Sequence, residues 1–301
     1  MSNTATVLAF DFGASSGRAI RAVYDGQNLT YEEIHRFENV PIEKDGHLCW
    51  DVETLLKEIH TAIQKAGTFD SLGFDTWGVD FGLLDADGHL LANPVHYRDA
   101  RTNGKPEQAA ACMPAEELYA HTGNQIMAIN TLFQLLALQE QESELLQKAE
   151  QILFMPDLFA ALLGAEPVCE RSIASTSQML DPRTGQWSRE VLTAYGLKEN
   201  HFAPLVASGT VTGTLTTGAK IIAVAGHDTQ CASAAMPCAE EDVEHTAFLS
   251  CGTWSLLGTE LDTPILTADS CQSGLSNELG ANGKINYLKN IIGLWLIQES
   301  R

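Results

Sequence analysis

Residues 7–18 read Val-Leu-Ala-Phe-Asp-Phe-Gly-Ala-Ser-Ser-Gly-Arg, and this stretch decides the fold. The apolar run Val7–Phe10 predicts a buried strand that delivers a carboxylate, Asp11, to its end. The loop that follows contains Gly13 and Gly17, which we expect to adopt positive φ and to allow close backbone approach. Successive backbone N–H groups in such a loop form an anion-binding nest, so the stretch predicts a phosphate site.

Side chains of this loop add to the predicted phosphate site. Ser15, Ser16 and Arg18 supply hydroxyl and guanidinium donors. Asp11 is placed to hold a hydrated Mg²⁺ opposite the phosphates. An ordinary Gly/Ser hairpin turn explains the same residues equally well.

The residues around the loop separate it from the common nucleotide motifs. The G-x-x-x-x-G-K-[ST] pattern is absent, the spacing does not fit G-x-G-x-x-G, and no helix follows. Instead, Ala19–Tyr24 and Leu29–Phe37 predict two more strands around an Asp25-Gly26 turn. A phosphate loop between two antiparallel strands indicates the α/β fold of the actin-like ATPases.

The composition restricts the class of partner. The 301 residues predict about two domains, and 18 Lys+Arg against 39 Asp+Glu give a net charge of −21. This charge argues against nucleic acid and anionic membranes as partners. Seven scattered cysteines without a C-x-x-C pair indicate free thiols, and neither a signal peptide nor an apolar run of about 18 residues is evident. We therefore expect a cytoplasmic protein; its oligomeric state is left open.

An acidic segment divides the chain. Pro237–Glu244 holds four acids among eight residues and is the predicted linker. After it, Phe248–Gly258 repeats the strand, glycine turn and strand of the opening stretch. We predict one domain over residues 1–237 and the start of another over 245–301, facing each other across a nucleotide. A chance repeat is the alternative, because strand–glycine–strand sequences are common.

Asp228 is the carboxylate best placed for chemistry. It follows the predicted strand Ile221–Ala225 and precedes a predicted small-residue helix. A carboxylate at that position lies at the mouth of a crevice in α/β proteins. There it could accept the proton of an attacking sugar hydroxyl. The alternative is that Asp228 is only the N-cap of the helix.

Two further blocks carry polar groups suited to a sugar. Asp75–Phe81 reads Asp-Thr-Trp-Gly-Val-Asp-Phe and offers carboxylates, an indole and a bare glycine. A packed tryptophan beside solvated turn acids explains it as well. Tyr97–Arg101 is a cationic cluster that either orients a polar ligand or pairs with nearby acids. No nucleophile pair involving His227 or Cys251 follows from the spacing.

Together with Trp50-Asp51, Met155–Asp157 and Leu288–Gln298, these blocks resemble the FGGY carbohydrate kinases over essentially the whole chain. The resemblance implies two actin-like (ribonuclease-H-like) domains that close on ATP, Mg²⁺ and a sugar. Asp75–Phe81 and Tyr97–Asn103 are most similar to the members that phosphorylate L-rhamnulose at O1 in L-rhamnose breakdown. Another ketose such as fuculose or xylulose, and a non-catalytic nucleotide- or sugar-binding module, are the alternatives.

The resemblance also implies roles for single residues. By matching position, Asp228 resembles the catalytic base of the family. The implied sugar contacts are Gly78, His227, Asp228 and Thr229, and the implied phosphate and nucleotide contacts are Ala14, Ser15, Ser16, Gly17, Arg18, Thr253, Asn290 and Gln298.

The chain departs from the family at its end. The family continues beyond the length of this chain, so the resemblance implies a two-domain sugar kinase with an incomplete second domain. Apolar residues in the 291–297 segment, Ile291 and Leu294 among them, would then lack partners. An exposed apolar patch of this kind favours aggregation.

Overall fold

The computed structural model describes residues 4–252, 254–294 and 300. Its strands are Ala5–Phe12 (β1), Ser16–Tyr24 (β2), Leu29–Glu38 (β3), Ile42–Lys44 (β4), His47–Cys49 (β5), Ser71–Thr76 (β6), Phe81–Leu84 (β7), Gln151–Phe154 (β8), Cys169–Glu170 (β9), Leu180–Asp181 (β10), Gln186–Trp187 (β11), Leu205–Val206 (β12), Thr210–Thr214 (β13), Lys220–Ala223 (β14), Phe248–Cys251 (β15), Trp254–Leu261 (β16), Ser276–Leu279 (β17) and Ile285–Ile292 (β18). Its α-helices are Val52–Ala66 (α1), Lys105–Ala109 (α2), Ala115–Thr122 (α3), Thr131–Gln141 (α4), Ser143–Lys148 (α5), Met155–Leu162 (α6), Arg171–Ala174 (α7), Arg189–Ala194 (α8), Asp228–Ala234 (α9) and Ala268–Gln272 (α10).

A mixed six-stranded sheet with the order β13-β14-β6-β1-β2-β3 forms the centre of the molecule. The strands β1, β2 and β3 pair antiparallel in sequence order, which confirms the predicted meander. Beside them, β6 runs parallel to β1, with Asp11 opposite Asp75. Two acids at adjacent strand ends therefore reach the same edge of the sheet, which is where ligands bind in open α/β sheets.

The helix α1 has the bounds that its sequence predicts. The side chain of Asp51 accepts a hydrogen bond from the Thr54 N–H, and Gly67 follows the last turn with φ +66°. An N-cap oxygen and a glycine with positive φ are the usual signals for the two ends of a helix. Val52 and Ile59 are buried on its inner face, so the helical apolar spacing places α1 against the sheet.

The expectation of positive φ at Gly13 and Gly17 is wrong, since neither residue has it. Gly17 lies within β2, where a Cβ atom would stand 2.2 Å from Cζ of Phe37. The Phe37 ring, which belongs to β3, covers this position and leaves no room for a Cβ atom, so the position requires glycine. At Gly13, the N–H donates to the Ser16 carbonyl at 2.9 Å and closes the turn. That donor is therefore used within the loop and does not add to an anion nest.

A four-stranded antiparallel sheet with the order β15-β16-β18-β17 follows α9. Phe248, Leu256 and Leu288 form a small core on one of its faces. Leu249 and Leu257, directly opposite each other on β15 and β16, are exposed. Ile291 and Leu294 are exposed as well, as expected from the sequence, while residues 295–297 lie outside the described part of the chain.

The later sheet is joined to the earlier part of the chain by buried contacts. The predicted linker carries a 3₁₀ helix over Glu240–His245. Leu279 and Ile285 belong to the main hydrophobic core. The Asn277 Nδ2 donates to the Gly123 carbonyl at 3.1 Å. The domain boundary between 237 and 245 stays a prediction. Among the described residues, no helix combines the length and apolar character needed to cross a bilayer.

Candidate functional site

A cleft of about 490 Å³ lies between the carboxyl edge of the first sheet and the later sheet. One wall is the β1–β2 loop with Asp11 and Arg18, and the floor is the loop that follows β6. The start of α9 and the strands β15, β17 and β18 close the opposite side. Segments far apart in sequence thus converge at the sheet edge from which a strand-end carboxylate was expected to project.

The structure brings most of the predicted site residues into this cleft. The predicted site residues that line the cleft are Asp11, Ala14, Ser15, Arg18, Gly78, His227, Asp228, Thr229 and Asn290. Ser16 and Gly17, at the start of β2, are not among them, and Gly17 is covered by the ring of Phe37. Thr253 and Gln298 fall outside the described residues.

The β1–β2 loop holds its charged side chains as an ion pair. Nε and Nη2 of Arg18 lie 2.8 and 2.5 Å from Oδ2 of Asp11. Both donors share one carboxylate oxygen, so the pair fixes the guanidinium at the wall of the cleft. The arrangement keeps a cation beside the backbone of the loop, where phosphate oxygens would be bound.

Asp228 lies at the bottom of the cleft as the first residue of α9. The N-cap position belongs to His227, so the interpretation of Asp228 as the N-cap is wrong. Its Oδ1 accepts hydrogen bonds from the Thr229 N–H at 2.6 Å and from the Thr229 hydroxyl at 3.2 Å. Surrounding protein raises the pKa of Asp228, and the nearby His227 opposes that rise. The side chain remains 39% exposed, toward the cleft, so a ligand can reach it.

His227 stands between two carboxylates. Its Nδ1 is 2.9 Å from Oε2 of Glu278, and its Nε2 is 3.4 Å from Oδ1 of Asp228. Burial alone would lower the pKa of His227, but Glu278, Asp228 and Asp75 outweigh it and raise this pKa to about 9. The imidazole is therefore protonated at neutral pH, and both ring nitrogens are donors.

Asp75 adds a further acid beneath the cleft. Burial, followed by the charges of Asp11 and Asp228, holds the pKa of Asp75 well above its ordinary value. Three acids approach one sheet edge, and their mutual repulsion favours protonation of Asp75.

The floor of the cleft is a tight loop organised by a buried carboxylate. Asp80 is fully buried and accepts from the indole N–H of Trp50 at 2.6 Å and of Trp77 at 2.9 Å. It also accepts from Nε2 of Gln134 at 2.8 Å and from the Tyr97 N–H at 3.2 Å. Burial raises the pKa of Asp80 to about 6 despite these donors. The interpretation of this residue as a solvated turn acid is wrong.

Val79, between Gly78 and Asp80, has an unusual backbone. Its φ is +67°, and its N–H donates to the Thr176 hydroxyl at 3.1 Å. Its carbonyl accepts from the Thr131 hydroxyl at 2.7 Å. A Cβ atom at Gly78 would lie 3.3 Å from the Thr176 methyl group, so the bare glycine keeps this part of the floor open.

Asn124 and Glu278 are among the polar residues of the cleft that the sequence reasoning missed. Asn124 is 3% exposed, and within the described part of the chain its Oδ1 has no hydrogen-bond partner. Glu278 lies on β17, whose residues Ser-Asn-Glu-Leu are all buried. The three consecutive polar residues of this strand are the sequence signal that could have identified Glu278, because such residues are buried only when they have polar partners.

Asp11 is the metal ligand that the sequence predicts in the cleft. Among the described residues, the carboxylate and imidazole groups close enough together to share an ion are those of Asp85, Asp87 and His89, in an exposed turn. Asp11 lines the cleft without such convergence. A single carboxylate fits Mg²⁺, which commonly keeps several waters and completes its coordination with substrate phosphates.

The β-meander with its loop at the cleft, joined in parallel to β6, defines the class: the chain has the actin-like ATPase fold of sugar kinases. The crystal structure of gluconate kinase from Lactobacillus acidophilus superposes with a TM-score of 0.80 at 17% identity, covering 99% of this chain and 62% of that one. Residues 6–234 match the FGGY family of carbohydrate kinases, N-terminal domain, and the chain belongs to this family.

Two curated relatives match almost the whole chain. One is 41% identical to it over 307 residues and is a rhamnulokinase from Bacteroides thetaiotaomicron. The other is 40% identical over 309 residues and is a rhamnulokinase from Enterococcus faecalis. Each alignment covers 98% of this chain, which spans only 63% and 61% of the length of the two relatives.

Proposed function

We propose that this chain carries the sugar-binding and catalytic part of a kinase that transfers phosphate from ATP to O1 of L-rhamnulose. The observation that carries the proposal is the position of Asp228, which faces a cleft between a candidate phosphate loop and the Gly78 loop. The two rhamnulokinase relatives support the choice of sugar.

Asp228 is the general base of the proposed reaction. Its carboxylate accepts the proton of the sugar O1 hydroxyl while that oxygen attacks the γ-phosphorus and the bond to the β,γ-bridging oxygen breaks, releasing ADP. Such help contributes about 10²–10⁴ in rate. Positioning and charge neutralisation supply most of the remainder in phosphoryl transfer. Gly78, Thr229 and Asn124 line the cleft where the sugar hydroxyls would bind.

The nucleotide contacts follow from the opposite wall. Ala14, Ser15 and Arg18 face the cleft from the loop, and Asn290 faces it from β18. Ser16 and Gly17 shape the loop through β2. Asp11 would hold a hydrated Mg²⁺, and the carboxylate of Asp228 adds negative charge in the same cleft. When bound, the ion would neutralise phosphate charge.

An assay of the complete gene product tests this function. ADP release is measured with L-rhamnulose, L-fuculose and D-xylulose, and L-rhamnulose should give the highest kcat/KM. Asp228→Asn should lower kcat by about 10²–10⁴ while the Kd of MgATP changes little. Asp85→Asn, in the exposed turn, is the matched control and should leave both values unchanged.

Three results would redirect the proposal. Unchanged turnover in Asp228→Asn would remove the role of this residue as base. A higher kcat/KM with L-fuculose or D-xylulose would reassign the sugar. Calorimetric binding of a ketose without turnover by the complete gene product would favour a non-catalytic sugar-binding module. The scattered free thiols favour a cytoplasmic location, which stays a prediction.

A further inference from the structure

A continuous set of buried polar contacts joins the later sheet to the proposed base. Oε2 of Glu278 accepts from His227 Nδ1 at 2.9 Å and from Gln230 Nε2 at 2.8 Å. Asn286 on β18 donates through Nδ2 to Oε1 of the Gln230 side chain and to the Ser233 hydroxyl. The other ring nitrogen of His227 faces Asp228. The side chain that anchors the imidazole therefore comes from β17, across the cleft from the first sheet.

Among the charges around His227, that of Glu278 raises the pKa of the imidazole most. The acids that face the imidazole are Glu278 from β17, Asp228 from α9 and Asp75 from β6. Asp75 tends to be neutral, because its pKa is well above the ordinary value. Glu278 is 5% exposed, so its charge is little screened by solvent. Without Glu278, the pKa of His227 would fall, because burial would be opposed only by Asp228 and Asp75, and the neutral imidazole would form at a lower pH.

A neutral imidazole would change the surroundings of Asp228. One ring nitrogen would lose its proton, and Asp228 would lose the positive charge that opposes the repulsion from Asp11. The protonated ring instead donates from both nitrogens, to Glu278 on one side and toward Asp228 on the other. Its charge also lies beside the place where phosphate is transferred in the proposed reaction.

We propose that Glu278 is a positioning residue that keeps His227 protonated, so that the imidazolium orients the Asp228 carboxylate and keeps it charged for catalysis. This role rests on the proposed kinase function. It makes the later sheet a contributor to the base, although Glu278 itself does not touch the reacting atoms.

The test combines a titration and a pH profile in the complete gene product. Glu278→Gln keeps an oxygen to accept from Nδ1 and removes the charge. The His227 resonance is followed by NMR and identified by its absence in His227→Gln. The midpoint of the His227 titration should be near pH 9 in the wild type and at least one pH unit lower in Glu278→Gln. Glu260→Gln on β16, where the carboxylate pairs with Lys284, is the matched control and should leave the midpoint unchanged.

The pH profile of ketose turnover gives the second readout. A midpoint lowered by about one unit makes kcat/KM of Glu278→Gln about fivefold lower than wild type at pH 9 and within twofold at pH 7. A loss that is equal at every pH, or an unchanged His227 midpoint, would overturn the role. If the variant does not fold, a wild-type midpoint near pH 9 supports the role and one below pH 7 overturns it. Absence of turnover in the wild type would instead count against the kinase function, and the titration would still decide the ion pair.

Discussion

Replacing Asp80 by asparagine should remove a pH dependence from the stability of the protein. The carboxyl group is fully buried, and its pKa rises from 3.8 to about 6 on folding. The folded state thus binds the proton more tightly than the unfolded state. The stabilising contribution of the protonated form is complete below about pH 4 and is lost as the pH rises through about 6.

The magnitude follows from the size of that shift. About two pKa units correspond to about 3 kcal/mol between the fully protonated and fully ionised limits. Roughly half of this falls between pH 5 and pH 8, because the unfolded state is already mostly ionised at pH 5. In Asp80→Asn the amide oxygen replaces Oδ2, while the NH₂ group opposes the donor of Gln134. That mismatch costs about 1–3 kcal/mol at every pH.

Urea unfolding from pH 5 to pH 8 measures the effect, with tryptophan fluorescence as the signal. Trp50 and Trp77 both donate to Asp80, so they report directly on this region. The free energy of unfolding of the wild type minus that of Asp80→Asn should fall by about 1–2 kcal/mol as the pH rises. Asp85→Asn is the control, because backbone hydrogen bonds lower the pKa of that exposed acid. A difference between wild type and Asp80→Asn that stays flat over this range would refute the reasoning.

Three other substitutions test packing, binding and surface. Gly17→Ala places a Cβ 2.2 Å from the Phe37 ring and should cost about 1–3 kcal/mol in urea unfolding; a neutral result would contradict the packing explanation. Asn124→Ala should raise the KM for the ketose roughly three- to tenfold with little change in kcat, and an unchanged KM would remove Asn124 from the sugar site. Leu257→Lys should reduce self-association of the 301-residue chain in sedimentation velocity, whereas Leu29→Lys, at a more exposed leucine of β3, should not; equal effects would contradict a specific apolar face.

Local patterns predicted the elements that depend on neighbouring residues. Asp51 and Gly67 mark the two ends of α1, and the turn at Asp25-Gly26 separates β2 from β3 as expected. The strand end at Asp11 was also evident from the apolar run before it. These signals lie within a few residues of the feature they specify, so one sequence is enough to read them.

Contacts between distant segments could not be read in the same way. Gly17 is a glycine because Phe37 covers it, and this close approach exists only once β2 and β3 pair. The burial of Asp80 depends on two indoles and on Gln134 of α4. Glu278 reaches His227, next to the proposed base, only because β17 packs against α7. Gly17 and Phe37 are 20 positions apart in the sequence, and Asp80 and Gln134 are 54 apart, so such roles require the three-dimensional positions of the residues.

The backbone of Val79 has a consequence for how the cleft meets its ligand. A β-branched residue at φ +67° holds a conformation that costs on the order of 1–3 kcal/mol. Thr131 and Thr176 hold it there, so the cost is met during folding rather than when a ligand arrives. A sugar that enters the cleft would find this part of the floor already ordered, so binding would cost less conformational entropy of the loop than it would if the loop were relaxed. The strained backbone of Val79 thus lowers the stability of the fold, but it orders the floor of the cleft before a ligand binds.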